Sequence, residues 1–135
     1  MERILVGTDT SARAERAVEA AATLATTHDA ELLVLYVKPP LDAREVFDPE
    51  KIPDPETYLV RLRERFPDVK LRTRSEAGDP AETIVEVAEE EGADVIVVGN
   101  RGVHGRSRWF LGSVPLAVAT HSPCSLYIVD TREGR

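Results

Sequence analysis

The stretch VIVVGNRGVHGRSRWFLGSVP, Val95 to Pro115, sets an unbroken apolar run directly against a segment of glycines and arginines. Val95-Ile96-Val97-Val98 offers no polar position to turn toward water, which marks a strand covered on both faces. Such strands belong to parallel sheets with helices above and below, so this run points to an α/β fold. What begins at Gly99 either turns the chain or serves a ligand.

Working outward, Ile4-Leu5-Val6 before Gly7-Thr8-Asp9 and Leu32 to Val37 read as further buried strands. Between them, with Ser11 as N-cap, Ala14, Ala17, Val18, Ala21, Leu24 and Ala25 recur at helical spacing through about Thr27. Pro39-Pro40 stops the second strand, and Lys38 to Pro55 has the composition of a long loop. Leu59, Leu62 and Phe66 mark a short helix. Val69, Leu71 and Thr73 alternate with Lys70, Arg72 and Arg74 as in an edge strand with one wet face.

Gly78-Asp79-Pro80-Ala81-Glu82 is a helix start, with Asp79 as N-cap and Pro80 at the first helical position. Ala81, Ile84, Val85 and Ala88 give that helix its apolar stripe, and Gly92 ends it. A last helix is expected from Gly112 to about Thr120, and a last strand at Leu126 to Val129. The 135 residues suit one domain, residues 1–135, with a doubly wound parallel sheet of five strands in the order 3-2-1-4-5. Ligands in such sheets collect at the carboxyl ends of the strands where the order reverses, here between Gly7-Thr8-Asp9 and the segment from Gly99.

Composition narrows the function. Hydrophobic residues at 42% and charged residues at 30%, with no bilayer-length apolar run, describe a soluble protein with no membrane partner. The first residues carry no basic leader or cleavage signal, so a cytoplasmic location is expected. A net charge of −7 argues against general nucleic-acid binding, yet no acidic residue stands between Asp94 and Asp130, where Arg101, His104, Arg106, Arg108 and His121 lie. The lone Cys124 reads as a small buried hydrophobe.

Gly99, Gly102 and Gly112-Ser113 have the spacing G-x2-G-x9-G-S. Glycines let backbone amides approach an anion, and a helix starting at Gly112-Ser113 would offer unpaired N–H groups and a favourable dipole, which are phosphate-binding parts. Each glycine alone reads as a turn; the preceding strand, the following helix and the missing carboxylates favour phosphate. No Lys follows as in GxxxxGK(S/T), no nucleophile–base pair is evident, and His104 has no identifiable partner, so binding is favoured over catalysis.

On this motif the chain resembles the universal stress protein family, whose nucleotide-binding members carry G-x2-G-x9-G-(S/T) after the fourth strand. The likeness extends through Ile4 to Asp9, Gly78-Asp79-Pro80 and Ser122-Pro123-Cys124. The resemblance implies ATP across the crevice: Gly7, Thr8 and Asp9 beside adenine and ribose, Val37 against the base, and Val98 and Gly99 near base and ribose. It also implies Gly102, Gly112, Ser113 and Val114 around the phosphates, with Mg²⁺ recruited by the phosphates and no protein metal cage. Arg101, with Arg106 and Arg108, is a candidate counter-charge. A homodimer through Leu126 to Val129 is expected on two grounds, since an uncovered apolar edge strand needs a partner and the family commonly pairs there.

The leading expectation is therefore an ATP-binding regulatory module with slow or absent hydrolysis. The alternatives are a weak ATPase or phosphoryl- or nucleotidyl-transfer enzyme using Asp9, His104 or Ser113, and an interaction scaffold with an empty crevice.

Overall fold

Parallel pairing throughout organises the chain around one five-stranded sheet, seen in a computed structural model that describes residues 1–9, 12–38, 55–100 and 112–131. The elements run β1 (Arg3–Thr8), α1 (Ala12–His28), β2 (Glu31–Lys38), α2 (Pro55–Arg65), β3 (Lys70–Ala77), α3 (Pro80–Glu91), β4 (Val95–Gly99), α4 (Ser113–His121) and β5 (Ser125–Val129). Strand order is β3-β2-β1-β4-β5, as the hydrophobic pattern predicts. Leu5 stands opposite Leu33 on one side and Ile96 on the other, so the most apolar strands occupy the centre.

Alternation along the central strands builds two cores. Ile4, Val6, Leu32, Val34, Val95 and Val97 face α1 and α2, meeting Val18, Ala21, Tyr58 and Leu62. Leu5, Leu33, Leu35, Ile96 and Val98 face α3 and α4, meeting Ile84, Val87, Ala88 and Val118. Each fully buried Leu or Ile contributes about 1.5–3 kcal/mol relative to exposure, so these two layers are the main stabilising term.

Some expectations shift in detail. Along α1, Ala22 joins the buried stripe while Ala14 and Leu24 stay half-buried. On α3, Thr83 and Val87 are buried and Val85 only partly, because the helix packs on α4 as well as the sheet and its apolar face is wider than one stripe. Lys38 closes β2 and Pro55 opens α2, which trims the expected loop at both ends; Ser11 and residues 39–54 lie outside the described residues. Cys124 is partly buried against the second core, less enclosed than the expectation of a buried hydrophobe.

The caps of α3 follow the sequence reading. Asp79 accepts a hydrogen bond from Glu82 N–H at 3.0 Å, and Gly92 closes the helix in the left-handed region at φ 64°. β3 is an outer strand with Leu71 as its one buried hydrophobe, and its wet face is an ion-pair network. Arg72 reaches Glu31 (2.7 Å) and Glu91 (2.5 Å), and Arg74 reaches Glu76, Glu90 and Glu91 at 2.7–3.1 Å. At the opposite end of the sheet from the crevice, Asp94 Oδ2 accepts from the amides of Glu2 and Arg3 (2.7 and 2.8 Å). Those two bonds, Arg3's first, hold its carboxyl below the usual Asp range.

Candidate functional site

The order of the sheet reverses between β1 and β4, which pair from Ile4↔Val95 to Val6↔Val97. Past that pairing the chain leaves β1 through Gly7, Thr8 and Asp9, and leaves β4 through Val98, Gly99 and Asn100. Their carboxyl ends therefore lie side by side at the point where the strand order reverses, the position at which this topology places a ligand crevice.

Gly7 pairs with Leu35 and Thr8 with Tyr36, which puts Val37 at the end of the strand next to them. A Cβ at Gly7 would stand 2.9 Å from Ile84 Cδ1, so α3 packs closely under this end of β1. Val37 and Val98 are buried in the second core near the carboxyl ends of β2 and β4. Thr8 is buried, and its side chain hydrogen-bonds the phenol of Tyr58. That phenol donates to Glu15 Oε1, and Arg65 donates to Glu15 Oε2 at 3.0 Å and pairs also with Glu19. Burial first, then Glu15, pushes the Tyr58 hydroxyl far above its ordinary value, so it stays protonated and donating. Thr8 thus offers the crevice its backbone, while its side chain ties β1 to α2.

On the other wall, Gly112 N–H donates to Asn100 O at 3.2 Å, which brings the start of α4 to the end of β4. Gly112 is the N-cap of α4, at φ −62° and ψ 164°, extended backbone that any residue adopts. Nothing in its own dihedrals requires a glycine there. Among the described residues no side chain caps the helix, Pro115 has no N–H, and Leu116 N–H is taken by Gly112 O at 3.2 Å. Among the described residues the amides of Ser113 and Val114 have no acceptor. Ser113 is exposed and Val114 rests partly on the second core. Two bare amides at a helix start, with the helix dipole behind them, are groups that can donate to an anion.

The fold thus brings Gly7, Thr8, Asp9, Val37, Val98, Gly99, Gly112, Ser113 and Val114 to one end of the sheet. Arg101 and Gly102, with His104, Arg106 and Arg108, lie outside the described residues. Among the described residues no three His, Cys, Asp or Glu side chains gather to hold a metal ion, and no helix is long and apolar enough to cross a membrane.

Sequence reasoning passed over Asn100, Thr131 and Tyr58. Tyr58 carried a signal, its four-residue spacing from Leu62 and again to Phe66. Asn100 and Thr131 carried none, because they meet only when β4 and β5 pair. Asn100 N–H donates to Val129 O at 2.8 Å, extending that ladder. Its Oδ1 accepts from Thr131 N–H (3.2 Å) and the Thr131 hydroxyl (3.0 Å), and its Nδ2 donates to Asp130 Oδ1 at 3.4 Å. Thr131 is 1% exposed, and its carbonyl accepts from Arg16 of α1 at 3.2 Å.

Comparison with known proteins gives a consistent result. The model of the Universal stress protein family matches residues 1–130. A putative universal stress protein of Staphylococcus haemolyticus is 30% identical over 145 residues, spanning 98% of this chain and 86% of that one. The crystal structure of a universal stress protein in complex with cAMP is 31% identical with a TM-score of 0.77, covering 97% of this chain and 98% of its own. UspA of Lactobacillus plantarum superposes with a TM-score of 0.72 at 26% identity, covering 95% and 97%.

Proposed function

Because the chain belongs to the universal stress protein family, we propose that its crevice binds an adenine nucleotide, ATP in the first place, as a regulatory ligand with slow or absent hydrolysis. The observation that carries this reading is the start of α4: two amides without acceptors among the described residues, drawn to the end of β4 by the Gly112–Asn100 bond. The base would lie over Val37 with Asp9 and the backbone of Gly7 and Thr8 beside base and ribose; Val98 and Gly99 would back the ribose. The phosphates would extend along Gly102 toward Gly112, Ser113 and Val114, with Arg101 as a counter-charge, and would bring Mg²⁺ with them.

The similar structure that holds cAMP favours a second reading, a cyclic nucleotide in the same crevice. Reach separates the two. A single cyclised phosphate stays close to the ribose, whereas a triphosphate spans from ribose to the helix start, so only the latter uses Ser113 and Val114 amides fully. The test is calorimetric titration of nucleotide-stripped protein with ATP, ADP, AMP, cAMP and GTP in Mg²⁺, alongside a phosphate-release assay. ATP is expected to bind best, with no sustained release. Absence of adenine-nucleotide binding refutes the proposal, tighter binding of cAMP selects the second reading, and sustained turnover makes the protein an enzyme. A homodimer through β5 is proposed with it, since every residue of Ser125–Val129 remains at least partly exposed in the single chain.

A further inference from the structure

Gly99 and Gly112 belong to the glycine motif, but the residue that physically joins them is Asn100. Its backbone carbonyl holds Gly112 N–H at 3.2 Å, and its carboxamide is occupied by Thr131 and Asp130. Thr131 in turn lies flat on Gly99: a Cβ there would stand 2.7 Å from Thr131 Cγ2, while Thr131 Oγ1 and Cβ would be at 3.6 and 3.8 Å. A methyl group therefore fills the space a side chain at 99 would need.

We infer that Asn100 and Thr131 form a clamp that sets the position of the α4 amides relative to the end of β4, and that Gly99 is a glycine to admit Thr131, not a ligand. Asn100 and Thr131 are positioning residues: the Asn100 carboxamide bonds Thr131 and Asp130, the Thr131 carbonyl bonds Arg16, and the pair acts on the ligand through Gly112, Ser113 and Val114. The inference rests on the nucleotide reading above and assigns the first glycine of the motif a different cause. A clamp at the phosphate end has a specific signature, because phosphate-bearing ligands feel a displaced helix start and a bare nucleoside does not.

The experiment compares ATP and adenosine binding by calorimetry, with thermal melts, for the parent, Asn100→Ala, Gly99→Ala and the double variant Gly99→Ala with Thr131→Ser. The serine keeps the hydroxyl and removes the methyl that meets the new Cβ. Asn100→Ala is expected to weaken ATP about tenfold and adenosine less than about twofold, a loss of the size that removing a partly buried hydrogen-bond acceptor produces. Gly99→Ala is expected to weaken ATP similarly, and Thr131→Ser to restore it to within about threefold of the parent. Equal loss of ATP and adenosine in Asn100→Ala would overturn the positioning role. Failure of Thr131→Ser to rescue would show that Gly99 meets the ligand itself. If Asn100→Ala does not fold, Thr131→Val, which removes the hydroxyl bond to Asn100 and keeps the methyl on Gly99, takes its place: a loss of ATP affinity that spares adenosine supports the clamp, and equal or no loss overturns it. A parent that binds neither ligand refutes the nucleotide reading, an outcome distinct from a parent that binds while the variants behave alike.

Discussion

Tyr58 shows what one hydroxyl does when three elements converge on it. It is 6% exposed, bonded to Thr8 of β1 and Glu15 of α1 while its ring fills the core beneath α2. Tyr58→Phe keeps the ring and removes both bonds, so it is expected to cost about 1–2 kcal/mol in urea unfolding. The pH dependence has a definite sign. The hydroxyl's pKa is raised above 10.0 by burial first and Glu15 second, so the unfolded chain ionises before the folded one. The hydroxyl's contribution is therefore full below pH 10.0 and fades as pH rises beyond it, and the gap between parent and Tyr58→Phe should narrow there. Gly112 makes the complementary case at the crevice. Its dihedrals would accept any residue, so Gly112→Val should fold with a stability loss of about 1 kcal/mol from the poorer N-cap, yet bind ATP at least about tenfold more weakly, because a branched side chain would sit where phosphate approaches. If the variant binds ATP like the parent, the phosphate lies elsewhere. Cys124 gives a chemical check on packing: burial pushes its thiol up despite the bond from Ser122, so alkylation by iodoacetamide near pH 8 should be slower than for a free cysteine and recover on denaturation.

Single elements divide by whether their signals are local. α3 was legible from end to end because its cap, its proline and its closing glycine all act within one turn; Asp79→Ala should cost about 1 kcal/mol by thermal melting through the lost bond to Glu82 N–H. β3 was legible only as an alternation. Its arginines announced a wet face, but their partners Glu31, Glu90 and Glu91 come from β2 and α3, and no local pattern names them. The contribution of that network is modest because its groups are partly solvated. Removing Glu91's charge leaves Arg72 with Glu31, and Arg74 with Glu76 and Glu90. Glu91→Gln is therefore expected to cost under about 1 kcal/mol, and less at high salt. Arg72 first, then Arg74, holds the Glu91 carboxyl below its usual 4.5, so the parent's advantage should be present above that pH and disappear as pH falls through the lowered value. The site divides in the same way. The strand end at Gly7-Thr8-Asp9 and the helix start at Gly112-Ser113 were legible from local turn and cap chemistry, whereas Asn100 and Thr131 meet 31 positions apart along the chain and could be seen only once β4 and β5 were paired.

At the scale of the molecule, strand order followed from two contrasts in the sequence: continuous apolar runs at the centre against a wet-faced β3 at one edge, and a crossover pattern that leaves β5 at the other. That second edge is unlike the first. β3 presents Lys70, Ser75 and a charged face, features that discourage pairing, whereas β5 reads Ser-Leu-Tyr-Ile-Val with Tyr127 44% exposed. Leu116 of the neighbouring helix α4 is 56% exposed. An apolar edge with free backbone groups gains both hydrogen bonds and burial from a second copy, and a two-fold axis beside β5 would supply them with the same strand from each chain. The expected outcome is that light scattering on the parent gives the mass of two chains, and that Tyr127→Lys gives one with an unchanged thermal fold, since an exposed tyrosine contributes little to the monomer core. A parent of single-chain mass would leave β5 as an unpaired edge and overturn this assembly. The same experiment bears on the clamp: Thr131 follows β5 by two residues, so if pairing of β5 steadies it, Tyr127→Lys should also weaken ATP while sparing adenosine, whereas unchanged ATP affinity in the monomer would show that each crevice is complete within its own chain.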